Sequence, residues 1–187
     1  MIEIIPYRTT WPETFQKVGA TLREALGATA LAIHHIGSTS VPGLAAKDII
    51  DVQVSVSDLG TVSAVRLEAA GFRSRPDIVR DHMPPGLELE SIELEKRYFQ
   101  NHAPAVHLHV RVEGRFNGRY ALLCRDYLRT HPLAASAYAE IKQQLATHFP
   151  EDADAYYAVK DPVFDVLMAG ANEWAVYTAW QSPATDA

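Results

Sequence analysis

The residues best suited to chemistry lie in a turn-rich loop that begins with Gly37 and Ser38, and on the following strand, which carries Asp51. A glycine lets the backbone approach a ligand closely, and backbone N–H groups with the Ser38 hydroxyl could hold a phosphate oxygen. Asp51 offers a hard oxygen ligand of the kind that Mg²⁺ or Mn²⁺ needs. Since a metal ion between carboxylate and phosphate stabilises the charge of phosphoryl transfer, these residues indicate a phosphate-handling site. An ordinary turn and a solvated strand aspartate explain the same pattern, and spacing alone does not choose between them.

Polar side chains at every second position of two strands extend the candidate site. Residues 49–56 and 106–112 each alternate between apolar and polar types. We expect the two polar faces to look into one cleft that has Gly37 and Ser38 at its rim. Two histidines placed two residues apart could bind a metal jointly, or simply line a groove. The polar residues of the two strands are Asp51, Gln53, Ser55, His107, His109 and Arg111.

Basic residues near these strands could neutralise a phosphate. Lys47 precedes the Asp51 strand and is either a phosphate ligand or an ordinary solvated lysine. Several arginines suit either bidentate phosphate recognition or surface salt bridges; they are Arg97, Arg111, Arg125 and Arg129. The single cysteine, Cys124, lies in an apolar helical pattern and is interpreted as a buried core residue.

Hydrophobic periodicity predicts the elements that position these residues. Apolar steps of three or four predict helices from Pro12 to Gly27, over 59–70, near Phe116, after Pro132 and from Pro162. Strands are predicted over 30–36, 49–56, 92–100 and 106–112, with strand fragments and a mobile loop over 72–91. This order predicts an α+β fold: a mixed β-sheet with the Asp51 strand central, helices on one face and a helical C-terminal third closing a groove. We expect one domain over residues 1–180 and a flexible tail over 181–187.

Composition limits the classes of partner. Seventeen basic and 23 acidic residues give a net charge of -6, which argues against broad nucleic-acid binding but leaves room for one nucleotide in a local basic pocket. One cysteine excludes an internal disulfide. The first residues do not resemble a secretory signal, and no apolar run is long enough to cross a membrane, so we expect a cytoplasmic protein. The oligomeric state is left open.

Residues 35–51, with the sequence HIGSTSVPGLAAKDIID, resemble the signature of the GrpB family. Shorter stretches resemble that family too: KRYF at 96–99, HLHV at 107–110 and RDYLR at 125–129. The resemblance runs from about residue 5 to about residue 177. It implies the nucleotidyltransferase fold, sometimes fused to dephospho-coenzyme A kinase, and it names no substrate.

The resemblance also implies roles for individual residues. Nucleotidyltransferases place two carboxylates at alternate positions of one strand and a third on a neighbouring strand; here those positions carry Asp51, Gln53 and His109. With Ser38, these are the expected catalytic residues, and Asp51 and His109 are the expected ligands of Mg²⁺ or Mn²⁺. The residues expected to bind a nucleotide or other phosphorylated small molecule are Gly37, Ser38, Thr39 and Lys47.

Two departures from the superfamily pattern leave two functions open. Gln53 has no charge, and histidine prefers Zn²⁺ and similar metals over Mg²⁺. The first function is transfer of a nucleotidyl or phosphoryl group. The alternative is a catalytically inactive module that binds a nucleotide or coenzyme.

Overall fold

A five-stranded mixed sheet lies at the centre of the computed structural model, which describes residues 1–187. Its strands lie in the spatial order β1-β2-β5-β4-β3. The β2–β5 pair is parallel and the other three pairs are antiparallel. The strands are β1 (Ala32–Ile36), β2 (Ile50–Val56), β3 (Arg73–Ser74), β4 (Lys96–His102) and β5 (Ala105–Val112).

Five α-helices flank the sheet. They are α1 (Trp11–Leu26), α2 (Ala64–Ala69), α3 (Phe116–Thr130), α4 (Pro132–His148) and α5 (Ala153–Thr178). The predicted α+β class, with a mixed sheet and a helical C-terminal third, is confirmed. No helix is both long enough and apolar enough to cross a lipid bilayer.

One face of the sheet is apolar and packs against α1 and α2. Phe15 and Leu22 of α1 meet Ile33, Val52 and Leu108 in the larger core, and all five are at most 2% exposed. Because side chains alternate between the two faces of a strand, burying this set on one side sends its neighbours to the other. Removing each of these side chains from water stabilises the folded state by roughly 1.5–3 kcal/mol. A shift of one residue would turn them to the other face, so their burial fixes the register of β2 and β5.

The register of β2 and β5 brings the polar residues of the other face into rows. Asp51 lies opposite His107, Gln53 opposite His109, and Ser55 opposite Arg111. Helices α3, α4 and α5 cover this face through a second core, which includes Leu123, Leu128, Tyr138, Met168 and the predicted core residue Cys124.

Several sequence-based predictions of the elements were wrong in detail. The central strand is β5, and β2 lies beside it. Helices cover both faces of the sheet, because the C-terminal third has an apolar core of its own to bury. Helix α5 begins at Ala153 and continues through Pro162 while packing against α3 and α4. The helix predicted over 59–70 is a short 3₁₀ turn (Leu59–Thr61) followed by α2.

Residues 181–187, which were expected to form a flexible tail, lie against β1 instead. The Asp186 N–H donates to the Ile33 carbonyl at 2.9 Å, and the Ile33 N–H donates to the Thr185 hydroxyl at 3.0 Å. The Asp186 carboxylate accepts from Arg125 at 2.6 Å. Although burial alone would raise the pKa of Asp186, its contacts with His34 and Arg125 lower that pKa to about 2. The polar residues of this segment therefore hold it against β1 through hydrogen bonds and an ion pair.

Candidate functional site

A cavity of about 410 Å³ lies between the polar face of the sheet and the C-terminal helices. The sheet contributes Asp51, Lys96, His109 and Arg111, and residues 80–82 of the β3–β4 connection border the same space. The helices contribute a mainly apolar and aromatic wall, whose members include Tyr120, Cys124, Leu128, Tyr138, Tyr157 and Phe164. The cavity thus has a charged side and an aromatic side.

Gly37 and Asp51 are in direct contact at the start of β2. Gly37 has a φ of 69°, and a Cβ added there would lie 2.3 Å from Oδ2 of Asp51. Only glycine leaves room for the carboxylate in this arrangement. Oδ1 of Asp51 lies 3.4 Å from Nδ1 of His107, and both side chains are a little under one third exposed.

The loop after Gly37 is fixed by buried hydrogen bonds. Thr39 Oγ1 donates to the Ile49 carbonyl at 3.1 Å, so it is left to accept from Nε2 of His35 at 3.0 Å. The His35 ring stacks on Phe15 with 4.8 Å between ring centroids. Burial lowers the pKa of His35 to about 4, which keeps the imidazole neutral. These contacts explain why Thr39 points into the protein rather than into the cavity.

Gln53 is buried, and both the oxygen and the nitrogen of its side-chain amide are hydrogen-bonded within the protein. Its Oε1 accepts from Arg111 at 2.7 Å, and its amide nitrogen donates to the Gly118 carbonyl at 3.4 Å. Neither Gln53 nor Ser55 lines the cavity. The amide oxygen that could have replaced a carboxylate at a metal is therefore occupied by a guanidinium group.

Asp81, a residue that sequence reasoning missed, is the centre of a buried charge network. Its carboxylate accepts from Lys96 at 2.6 Å, from Arg111 at 2.8 and 2.9 Å, and from Asn117 at 3.0 Å. Burial opposes ionisation of Asp81, but Arg111 and Lys96 hold its pKa well below the usual range. In the sequence, Asp81 is only a carboxylate within a proline-containing loop. Such a loop has no hydrophobic periodicity from which the direction of its side chain could be predicted.

His109 faces this cationic network. Its Nδ1 lies 3.3 Å from Nζ of Lys96 and 3.4 Å from Nη2 of Arg111. Burial, together with the two neighbouring cations, lowers the pKa of His109 well below its ordinary value. The neutral imidazole accepts hydrogen bonds through Nδ1.

The side chains at this site do not fit a two-metal centre. Nowhere in the chain do three histidine, cysteine, aspartate or glutamate side chains converge to bind a metal ion. Asp51 has only His107 beside it, and His109 faces two positive charges that repel a further cation. The donor set therefore lacks the clustered carboxylates that Mg²⁺ needs.

Comparisons with known proteins agree with the sequence signature. A family model described as GrpB protein matches residues 1–169. The chain belongs to the GrpB family. The crystal structure of the GrpB protein from Enterococcus faecalis is similar at a TM-score of 0.72 and 30% identity, covering 92% of this chain and 99% of that one.

Two relatives of this GrpB-family chain are longer proteins. UPF0157 protein YqkA from Bacillus subtilis is 35% identical over 92% of this chain and 48% of that protein. A protein named dephospho-CoA kinase from Mycolicibacterium paratuberculosis is 31% identical over 96% of this chain and 48% of that protein. The chain thus spans about half the length of these two relatives.

The residues that the sequence places at the site of this GrpB-family chain separate into two groups in the structure. Gly37, Ser38, Asp51, His109 and Arg111 line one cavity, as the cleft hypothesis requires. The remaining residues expected there lie outside its lining; they are Thr39, Lys47, Gln53, Ser55 and His107.

Basic residues around the GrpB-family cavity have different partners. Nζ of Lys47 lies 3.0 Å from the hydroxyl of Tyr157, so Lys47 is at the edge of the cavity. Arg125 lines the cavity, whereas Arg129 donates twice to the Ser40 carbonyl and secures the loop. Arg97 donates to the Val62 carbonyl on the opposite face of the sheet.

Proposed function

We propose that the protein binds a nucleotide or a nucleotide-containing coenzyme in the cavity, without two-metal nucleotidyl transfer. The observation that carries this proposal is the engagement of Gln53 by Arg111. An oxygen bound by a guanidinium is unavailable to a metal, and the same guanidinium adds positive charge to the cavity that Gly37 and Ser38 also line. The site therefore favours holding a phosphate over assembling metal ions around one.

The charge of the cavity wall supports a phosphorylated ligand. Five cationic side chains line it, against three carboxylates; they are Arg80, Lys96, Arg111, Arg125 and Lys160, and Asp51, Asp81 and Asp161. On the sheet side Asp51 and Asp81 balance Lys96 and Arg111, so the positive surplus there comes from Arg80. Attraction between opposite charges is stronger in a partly desolvated cavity than in water.

The aromatic side of the cavity supports a ligand that also has an apolar or aromatic part. A volume of about 410 Å³ lies within the range of small-molecule sites, roughly 300–1,000 Å³. Tyr120, Tyr157 and Phe164 offer surface for a planar ring. Dephospho-coenzyme A, which the name of one relative mentions, contains both phosphate and adenine and is one candidate.

A second candidate is group transfer with one divalent metal ion at Asp51. The contact of Asp51 with Gly37 favours it, since a metal there would lie beside the loop that would hold phosphate. Titration with Mn²⁺ in the presence of ATP tests it. We expect Gln53→Glu to create no additional Mn²⁺ binding, because Arg111 lies 2.7 Å from that position and would pair with the new carboxylate. Tight Mn²⁺ binding in wild type, lost in Asp51→Asn, would support transfer instead.

Calorimetric titration with ATP and with dephospho-coenzyme A tests the binding proposal. Arg80→Gln removes an exposed cation from the cavity, and we expect it to weaken ATP binding by roughly three- to ten-fold. Arg66→Gln, an equal change of charge on α2 outside the cavity, is the matched control and should leave the affinity unchanged. Failure of both ligands to bind wild type, or equal losses in the two variants, would contradict the proposal.

A further inference from the structure

Tyr138 carries a hydroxyl group that the fold leaves without a partner. The residue lies on α4, is 1% exposed, and lines the cavity. Its hydroxyl oxygen has no hydrogen-bond partner within the protein. Buried polar groups are nearly always hydrogen-bonded, because burying one without a partner costs free energy. Phenylalanine would avoid that cost, so the hydroxyl needs an explanation.

The ring of Tyr138 is held firmly, so its hydroxyl has a fixed position. Phe164 packs edge-to-face on the ring at 5.1 Å between centroids. Nζ of Lys142 lies 4.7 Å from the ring centroid while donating to the Ala45 carbonyl. The side chain of Ser38 is close enough to counter part of the rise in the Tyr138 pKa, but it does not reach hydrogen-bonding geometry with the hydroxyl. The hydroxyl is therefore presented to the cavity beside the loop that begins at Gly37.

The surroundings of Tyr138 keep its hydroxyl a hydrogen-bond donor. Burial raises its pKa well above the ordinary value, so it remains protonated at neutral pH. Burial also raises the pKa of the Cys124 thiol on the same wall to about 12. Lys160 lines the wall as well, with Nζ 3.1 Å from Asp161, a carboxylate that is 44% exposed. The helical wall thus offers a neutral donor and a cation to an acceptor in the cavity.

We propose that the Tyr138 hydroxyl binds the ligand directly, donating a hydrogen bond to a phosphoryl oxygen held between Tyr138 and Ser38, with Lys160 supplying positive charge. This inference deepens the proposed function and rests on it. It adds a ligand contact from α4, whereas the site residues expected from the sequence lie on β2, β5 and the loop before β2. A ligand oxygen here gives the buried Tyr138 hydroxyl the hydrogen-bond partner that the protein does not supply.

Tyr138→Phe tests the proposal, because it removes the hydroxyl and keeps the ring. Since the hydroxyl has no partner in the free protein, we expect the melting temperature to stay the same or rise. A hydrogen bond to a charged oxygen is lost on binding, so the affinities for ATP and inorganic pyrophosphate should fall by about ten-fold or more. Binding of adenosine, which has no phosphate, should not change. Tyr156→Phe, at a buried tyrosine outside the cavity lining, is the control and should leave all three affinities unchanged.

The outcomes separate this proposal from the proposed function. Unchanged ATP and pyrophosphate affinities in Tyr138→Phe, with a lowered melting temperature, would overturn the Tyr138 contact and leave nucleotide binding standing. A loss of adenosine affinity without a loss of pyrophosphate affinity would overturn the assignment of the phosphoryl group. Tyr138-dependent binding of pyrophosphate by a protein that binds no ATP would support the contact and contradict the proposed function. Binding of neither by wild type would overturn both.

Discussion

At the scale of single residues, the short distance between Gly37 and Asp51 decides the form of the site. The positive φ of Gly37 turns the chain out of β1, and its missing side chain leaves space that the Asp51 carboxylate fills. The next loop residue, Ser38, is thereby set at the cavity beside that carboxylate. The backbone conformation of Gly37 thus determines where the Asp51 side chain can lie.

Gly37→Ala should be more destabilising than the same change at another glycine with positive φ. A residue with a side chain costs about 1–3 kcal/mol in a sparsely populated conformation of this kind, which combines a φ of 69° with a ψ of -174° at Gly37. At Gly37 the new Cβ would also meet Asp51 Oδ2 at 2.3 Å, whereas at Gly114, with a φ of 81°, nothing lies within 4 Å. We therefore expect denaturant unfolding to give a larger loss for Gly37→Ala than for Gly114→Ala, and ATP affinity to fall only in the former. Equal losses would mean that the contact with Asp51 is unimportant.

His35 should make the protein less stable as the pH falls from about 6.5 towards about 4. Burial lowers the pKa of His35 from 6.5 to about 4 in the folded state. Between these values the unfolded chain binds a proton that the folded chain does not, so the free energy of unfolding decreases by up to about 3 kcal/mol. Urea unfolding at pH 7 and pH 5 should show a smaller pH effect in His35→Gln than in wild type. The exposed His148→Gln serves as the control. An identical pH effect in His35→Gln would exclude His35 as its source.

At the scale of elements, the connection between β3 and β4 is bound to the sheet through Asp81. The backbone N–H of Asp81 donates to the Leu94 carbonyl, and its carboxylate joins Lys96 of β4 and Arg111 of β5. The next residue, His82, lies 3.1 Å from Asp165 of α5. One connection therefore links the sheet side of the cavity to its helical side.

Asp81→Asn should weaken the whole connection. Lys96 and Arg111 are 8% and 5% exposed, and removing the carboxylate leaves these two cations buried without their counter-ion. Breaking a buried ion pair in this way typically costs about 3–5 kcal/mol. Chemical denaturation should report that loss, and limited proteolysis should cleave within residues 75–95 sooner. Asp77→Asn removes an exposed carboxylate of the same connection and should change stability by less than about 0.5 kcal/mol. A similar small effect in Asp81→Asn would contradict the role given to this network.

Alternation and helical spacing made most of these elements predictable, but not the partners of their side chains. Strands β2 and β5 follow a period of two, so the common polar face of Asp51 and His109 could be predicted. Asp81 could not, since its position depends on a long connection without a period. The same holds for Gln53, because the sequence does not reveal that Arg111 reaches across from β5 to its amide oxygen.

At the scale of the whole molecule, charge is distributed unevenly between the surface and the cavity. The chain has a net charge of -6, whereas the cavity wall has more cations than carboxylates. An acidic protein repels the phosphates of a duplex, yet its cavity can still attract one small anion.

This distribution predicts binding of mononucleotides without binding of DNA. We expect no retardation of duplex DNA in gel-shift experiments at about 0.1 M salt, because the acidic surface cannot displace the counter-ions of the duplex. ATP titration of the same sample is the control for an intact site. Salt-sensitive binding of DNA at micromolar concentration would indicate a basic surface that the net charge conceals.

The two outermost strands of the sheet, β1 and β3, determine whether other chains can add to it. Open strand borders are templates for pairing with a further molecule, and they lead to aggregation. On β1, the N–H and carbonyl of Ile33 are bonded to Thr185 and Asp186, the N–H of His35 to the Asp186 carboxylate, and its carbonyl to Arg125. On the far border, β3 is only two residues long. The segment that contains Thr185 and Asp186 therefore occupies the hydrogen-bonding groups with which β1 could pair with another molecule, and so protects the sheet against polymerisation.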